Sequence, residues 1–180
     1  MRFDDGTSRV GSDPFVTARE DRAPVRRLRG RLAAPVTVWT ALSAEGAPVG
    51  LTVSSVLAAE GDPPEILGII DPLSDLWDAV KETRRFVVNV LTSEHARLAE
   101  RFALRFPGDP FADVETVATP SGPELGASAT RVACTLLGSS DAGYGRLVRA
   151  RMDELTLDER TVRPLVYYRG TYVSTGPLRD

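Results

Sequence analysis

Short runs of apolar and β-branched residues recur along this chain, and their lengths are typical of strands. The run at residues 66–70 has no polar residue, which predicts a strand that is buried on both faces. In residues 147–157, arginines alternate with apolar side chains, a pattern that predicts one buried and one exposed face. Strands are therefore predicted at residues 36–40, 49–56, 66–70, 86–91, 131–137, 147–157, 164–168 and 171–173.

Helical spacing of apolar residues interrupts the strands in three places. In the first predicted helix, Val25, Leu28 and Leu32 fall on one stripe. In the second predicted helix, Leu76 and Val80 are four residues apart and follow a serine suited to capping. Helices are predicted over residues 24–32, from the cap Ser74 to about Arg84, and from the cap Thr92 or Ser93 to about Leu104.

The order of these elements predicts a mainly β, or α+β, barrel with two or three helices. Helices do not alternate strictly with the strands, as a doubly wound Rossmann sheet would require. Residues 138–143 predict a loop between two strands, and residues 107–127 predict a loop with brief strands. Residues 1–20 lack apolar periodicity and predict a flexible arm, and the single domain is expected at residues 21–180.

Composition and charge narrow the classes of function. A net charge of −3 argues against a protein whose main work is binding nucleic acid. One cysteine, Cys134, and one histidine, His95, exclude a disulfide framework and a multi-thiolate or poly-histidine metal site. Cys134 is expected to be a small buried apolar residue. No apolar stretch reaches about 18 residues and the start has no signal-peptide core, so a cytoplasmic protein without a membrane segment is expected.

Sequence motifs for several kinds of catalysis are missing. There is no phosphate loop of the G-x-x-x-x-G-K-[ST] type, no G-x-S-x-G nucleophile elbow and no H-E-x-x-H zinc motif. Residues 143–145 carry two glycines of a dinucleotide fingerprint, but Val148 stands where the third is needed. No carboxylate pair is marked by its spacing, so a hydrolase that uses general acid–base catalysis has little support.

A hydroxyl cluster follows an apolar strand and can bind an anion or the polar edge of a ring. Alternation along a strand sends Thr52 and Ser54 to one face and Val53 and Ser55 to the other. Hydroxyls and free backbone N–H groups at a strand end supply the donors that such a ligand needs. Ordinary turn chemistry is the alternative interpretation.

Two further segments carry groups that can bind phosphate. Asp71 and Ser74 lie where a strand leads into a helix, whose first N–H groups are unpaired, although Asp71 and Asp75 oppose an anion there. A simple serine cap is the alternative. Arg101 can reach a phosphate while Phe102 packs inward, and the alternative is a surface charge beside a core residue.

The order of eight segments resembles the flavin reductase family of FMN-binding split barrels, the small partners of two-component flavin monooxygenases. The resemblance spans about residues 25–175, and it rests on the order of the segments rather than on any one motif. The segments are Pro35–Thr40, Gly50–Ser55, Asp62–Pro64, Phe86–Leu91, Leu98–Ala103, Phe111–Asp113, Gly122–Leu125 and Pro164–Tyr168.

The resemblance implies a six-stranded split barrel that forms a homodimer and holds flavin near the subunit interface. It implies hydride transfer from NADH or NADPH to N5 of FMN or FAD, with the reduced flavin passed to a monooxygenase or to oxygen. In such chemistry the protein mainly positions two rings. Nucleic acid and membrane are not expected as partners. The residues implied in cofactor binding are Thr52, Val53, Ser54, Ser55, Asp71, Ser74, Arg101 and Phe102.

The chain departs from the family pattern at one place. Such reductases usually carry Gly-Asp-His before the penultimate long strand, where this chain has Gly143, Tyr144 and Gly145. Tyr144 is therefore the candidate for the nicotinamide side, with an ordinary loop residue as the alternative. His95 has helical spacing from Phe102 and is expected to be a histidine at the edge of the core.

Three functions follow from these observations. The first is an NAD(P)H-dependent flavin reductase, and the second is a flavin- or deazaflavin-binding protein of the same fold without efficient NAD(P)H oxidation. The missing Asp and His favour the second. The third is a small barrel that binds a protein partner, which would make the order of the eight segments a coincidence.

Overall fold

The computed structural model of this chain describes residues 24–103, 108–160 and 162–175. The arm predicted at residues 1–20 lies outside this range and stays a prediction, as does the boundary at residue 21. Within these residues, no helix has the length and apolar character needed to cross a membrane. The helices are α1 (Pro24–Arg29), α2 (Asp75–Thr83) and α3 (Ala96–Phe102), and a 3₁₀ turn, Ser93–His95, precedes α3.

The strands follow the predicted runs closely in the first half of the chain and near its end. The exceptions are a break at residues 54–55 and two strands that are longer than expected. They are β1 (Ala34–Pro35), β2 (Thr37–Leu42), β3 (Pro48–Val53), β4 (Val56–Ala59), β5 (Glu65–Ile70), β6 (Arg85–Val90), β7 (Thr116–Val117), β8 (Glu124–Leu125), β9 (Thr130–Ala142), β10 (Gly145–Thr156), β11 (Leu165–Tyr168) and β12 (Thr171–Ser174).

Seven antiparallel strands form the main sheet in the order β3-β2-β6-β9-β10-β5-β4. The two edge strands, β3 and β4, are consecutive in the chain and are separated only by Ser54 and Ser55. The sheet therefore has to curl until its edges meet at these two serines. When β3 and β4 count as one interrupted strand, the barrel has the six strands that were predicted.

Two apolar cores lie on opposite sides of β2. Trp39 belongs to the core inside the barrel, where it stacks on Phe86 with ring centroids 4.7 Å apart. Val38 belongs to a second core, which α3, β8 and β11 help to form. As a result β2 is buried on both faces, as is the middle of β6. The same prediction for residues 66–70 was wrong, because no described element covers the outer face of β5 and Ile69 is 43% exposed.

The loop prediction for residues 138–143 was also wrong, because β9 and β10 continue as a paired ribbon to a tight turn at Gly143 and Tyr144. Ser140 pairs with Leu147, and Ala142 pairs with Gly145. Backbone pairing in a ribbon does not depend on apolar side chains, so small polar residues can extend it beyond the core.

A buried polar network attaches the loop of residues 108–127 to the sheet. Asn89 is fully buried, donates to Val38 O and Thr40 Oγ1, and accepts the N–H of Leu125 at 2.9 Å. Thr40 donates in turn to Pro123 O at 2.5 Å. Asn89, the one polar residue in its apolar run, thus satisfies backbone groups that would otherwise be buried without partners.

Candidate functional site

Ser54 and Ser55 lie where the two edges of the barrel sheet meet, and the part of the barrel around them is called the serine end below. The N–H of Ile69 donates to Ser55 O at 3.0 Å, which joins this break in the strand to β5. Both serines are partly exposed, and within the described residues neither hydroxyl has a hydrogen-bond partner. Their O–H groups are therefore available to a ligand, in contrast to most polar side chains nearby.

Asp71 and Ser74 follow β5 at the same end of the barrel, but their side chains already have local partners. The Asp71 carboxylate accepts the N–H of Leu73 at 2.9 Å. The Ser74 hydroxyl donates to Asp71 O at 2.7 Å and accepts the N–H of Trp77, which confirms it as the cap of α2. Both residues thus shape the turn that borders the two serines, and their role in ligand binding stays a prediction.

The turn of the β9–β10 ribbon abuts the same end, because the start of β10 pairs with the end of β5. Tyr144 is 87% exposed and stands at the tip of the turn. Gly145 packs so closely on β5 that an added Cβ would lie 2.5 Å from Cγ2 of Ile69. A larger residue at Gly145 would therefore displace the Ile69 side chain, and Tyr144 is the ring that the turn presents to solvent.

Arg146 is a residue of this end that the sequence analysis missed. It pairs with Ile70 across β10 and β5, and its guanidinium lies 5.3 Å from the ring centroid of Trp77. One nitrogen contacts an Asp141 oxygen at 3.0 Å, whereas its Nε is buried and has no hydrogen-bond partner among the residues that the structure describes. The signal was present in the alternation of β10, which puts Arg146 on the same face as the buried Val148.

Thr52, Arg101 and Phe102 lie together at α3 rather than at the serine end. The Thr52 hydroxyl donates to Ala99 O at 2.6 Å, and the Arg101 guanidinium donates to Ala112 O. Phe102 is fully buried against Phe111, with centroids 4.9 Å apart. Val53 is part of the barrel core. These four residues have structural partners, and no observation tests the cofactor contacts expected of them.

His95 lies in the 3₁₀ turn before α3, and Cys134 lies in the barrel core. Nδ1 of His95 accepts the N–H of Thr92 at 3.2 Å, and partial burial lowers the pKa of its imidazole. Cys134 is fully buried, and desolvation raises the pKa of its thiol, so it is the small apolar residue that was predicted. Cys134 is therefore enclosed away from any ligand at Ser54 and Ser55.

A cavity of about 320 Å³ lies beside this end, between α2 and the turn joining β2 to β3. Four carboxylates line it, so it repels phosphate. Within the described residues no group of three or more His, Cys, Asp or Glu side chains is arranged to hold a metal ion. The four carboxylates belong to Glu45, Asp75, Asp78 and Glu82.

Comparison with known proteins extends these observations. A family model described as "Flavin reductase like domain" matches residues 29–176. The chain is 32% identical over 161 residues to the reductase component of 4-nitrophenol 4-monooxygenase/4-nitrocatechol 2-monooxygenase from Rhodococcus opacus, covering 89% of this chain and 84% of that one. It is 33% identical over 172 residues to the HsaB reductase subunit of a flavin-dependent monooxygenase from Rhodococcus jostii, covering 94% and 87%.

A solved structure gives the same result for the fold. Nitrilotriacetate monooxygenase component B from Mycobacterium thermoresistibile superimposes with a TM-score of 0.76 at 31% identity, over 87% of this chain and 90% of the other. The expectation of a mainly β split barrel is thereby confirmed.

Proposed function

The chain belongs to the flavin reductase-like family, and on that premise we propose that it transfers hydride from NADH or NADPH to FMN or FAD. The reduced flavin then serves a flavin-dependent monooxygenase, the kind of enzyme in which the relatives above are reductase components. The observation that carries this proposal is the pair of free hydroxyls at Ser54 and Ser55, set where the barrel edges meet and beside an exposed aromatic turn.

The donor set of this end fits a flavin. The pyrimidine edge of the ring system presents carbonyl and nitrogen acceptors, which match the free O–H groups of Ser54 and Ser55. Asp71 and Ser74 would border the ligand by shaping the adjacent turn. A flavin in this place would supply a ring nitrogen that accepts hydride.

The work of the protein in this reaction is to bind and orient two rings. The serine hydroxyls would fix the flavin edge, and Tyr144 would give the nicotinamide a flat apolar surface. Hydride transfer requires no proton donor on the protein, which agrees with the enclosure of Cys134 in the core. Orientation and exclusion of water are then the main contributions of these residues.

We further propose that the protein acts as a homodimer through the outer face of β4, β5 and β10. Leu57 pairs with Leu67 and Ile69 pairs with Leu147, which places four apolar side chains on one surface beside Ser55. Leu57 is 70% exposed. A second copy would cover this surface and would complete a groove for a flat ligand.

The dimer proposal is tested by a Leu57→Glu variant, with Leu28→Glu as the control because Leu28 is also an exposed leucine but lies on α1, outside the proposed interface. Light scattering should give a monomer for Leu57→Glu and a dimer for the control. Flavin affinity should fall with the loss of the dimer. A dimer with unchanged flavin affinity in Leu57→Glu would contradict the proposed interface.

As a user of nicotinamide nucleotides, the protein would work in the cytoplasm.

The proposed reaction is tested by following absorbance at 340 nm with the purified protein, NADH or NADPH, and added FMN or FAD. Rapid oxidation that depends on flavin is the expected result, and the four combinations show which pair is used. Tyr144→Ala should raise KM for the nicotinamide nucleotide more than the Kd for flavin. Tight flavin binding without oxidation would favour the binding protein without NAD(P)H oxidation instead.

A further inference from the structure

We infer that Arg146 binds a phosphate group of one of the two nucleotide ligands, the flavin nucleotide or the nicotinamide dinucleotide. The inference rests on the proposed function and adds a residue that neither the ordered segments nor the comparisons assign. It starts from the position of a charged side chain on the inward face of β10, in register with the buried Val148 and Ala150.

The guanidinium of Arg146 is held in place by its surroundings. It lies 5.3 Å from the ring centroid of Trp77, a residue of α2 that is only 7% exposed. A cation over an indole face is attracted by the ring and loses little freedom when it binds a further group. The Arg146 side chain is 27% exposed, so a ligand can still reach it from solvent.

The hydrogen bonds of Arg146 are incomplete. Its Nε is buried and has no acceptor within the described residues. Arg131 offers a comparison, because its Nε lies 3.2 Å from a Glu124 oxygen and is thereby paired by charge. A buried donor without an acceptor is uncommon in native proteins and shows that the protein does not complete the hydrogen bonds of this guanidinium. Because Nε itself is buried, a ligand would bind the part of the side chain that solvent reaches.

The ion pair with Asp141 does not satisfy Arg146. Asp141 is 81% exposed and contacts one terminal nitrogen at 3.0 Å. Such exposed pairs contribute little to stability, and the other terminal N–H donors of the guanidinium remain. The planar set of N–H donors of an arginine matches the oxygens of a phosphate. A phosphate can therefore accept hydrogen bonds from the donors that Asp141 does not use.

The place of Arg146 in the sheet connects it to the candidate site. Arg146 pairs with Ile70, and the next residue, Asp71, begins the turn that borders the serines. Ser55 is joined to the same strand through Ile69. Arg146 is thus joined through β5 to the turn and to the serines, where either nucleotide would bring a phosphate.

The test compares ligands with and without phosphate on Arg146→Gln, with Arg160→Gln as a matched control. Arg160 also pairs with one aspartate, Asp158, at 2.8 Å, but lies outside the candidate site. Flavin fluorescence gives Kd for FMN and for riboflavin. Steady-state kinetics give KM for NADH and for dihydronicotinamide riboside. Thermal denaturation checks that both variants fold.

The expected result is a loss of about tenfold or more for the phosphorylated member of one pair, with its phosphate-free partner changed less than about twofold. A loss for FMN assigns the flavin phosphate, and a loss for NADH assigns the dinucleotide. Arg146→Lys should restore part of the affinity, because it keeps the charge and loses the planar set of N–H donors. If Arg146→Gln does not fold, the same comparison with Arg146→Lys decides, with a smaller loss expected.

Equal losses for both members of each pair, or values equal to those of Arg160→Gln, would overturn the inference and leave Arg146 as a packing residue against Trp77. If the wild-type protein binds no flavin and oxidises no NADH or NADPH, the proposed function fails and takes the inference with it. The wild-type measurement thus separates the two failures.

Discussion

The free hydroxyls of Ser54 and Ser55 allow a quantitative test of the candidate site. We expect the double variant Ser54→Ala/Ser55→Ala to bind flavin more weakly and to keep its fold. Within the described residues neither hydroxyl has a protein partner, so their removal breaks no hydrogen bond of the free protein. The change in binding then reports contacts to the ligand alone.

The magnitude follows from two hydrogen bonds. Each contributes about 0.5–1.5 kcal/mol, so the pair should contribute about 1–3 kcal/mol. That range raises the Kd by roughly five- to 150-fold. Thr52 offers a contrast, because its hydroxyl already donates to Ala99 O and its removal would act mainly on the packing of α3.

The assay is a titration of FMN and FAD followed by quenching of flavin fluorescence. Ser139→Ala/Ser140→Ala is the matched control, because these two exposed serines are also adjacent and lie in β9. The control should bind flavin like the wild type. A change below about twofold in the Ser54/Ser55 variant, with an unchanged melting temperature, would refute the assignment of these hydroxyls to flavin.

Three further predictions concern stability. Gly68→Ala places a Cβ 2.5 Å from a fully buried tryptophan ring and should destabilise the protein by about 1–3 kcal/mol, whereas Gly138→Ala meets no atom within 4 Å and should leave the melting temperature nearly unchanged. Equal melting temperatures for the two would contradict the packing described. Asn89→Ala leaves the buried N–H of Leu125 without its acceptor and should cost at least about 1–3 kcal/mol in urea denaturation, so a smaller loss than about 0.5 kcal/mol would argue against the network. Burial lowers the pKa of His95 below its usual value near 6.5, so the unfolded chain takes up a proton more readily. Its contribution to stability is full above about pH 6.5 and is lost as the pH falls through the folded pKa, and a His95→Gln variant should show less of this loss.

Individual helices and strands were predictable because the residues that determine them are neighbours in the chain. Ser74 caps α2 as expected, and the apolar runs mark β2, β5 and β6 to within one or two residues. The mixed arrangement of strands and helices was enough to exclude a doubly wound sheet. The order of eight segments was enough to identify the family, and the family match over residues 29–176 confirms it.

Which faces of the strands are covered was decided only by tertiary structure. β5 carries an unbroken apolar run and β2 contains two threonines, yet α3 and β11 help to bury the outer face of β2 and no described element covers that of β5. The length of the β9–β10 ribbon likewise depends on pairing between strands, which a Gly- and Ser-rich sequence does not display.

For the candidate site, too, some features were determined by the sequence and others only by the fold. The sequence determined that Ser54 and Ser55 end an apolar strand and carry donors. Only the folded chain could show that Thr52 and Arg101 donate to backbone carbonyls at α3, while the hydroxyls of the two serines remain free. It also placed Arg146 on the inward face beside Trp77. Residue type determines which bonds a side chain can form, but its partners come from distant parts of the chain and are chosen by the fold.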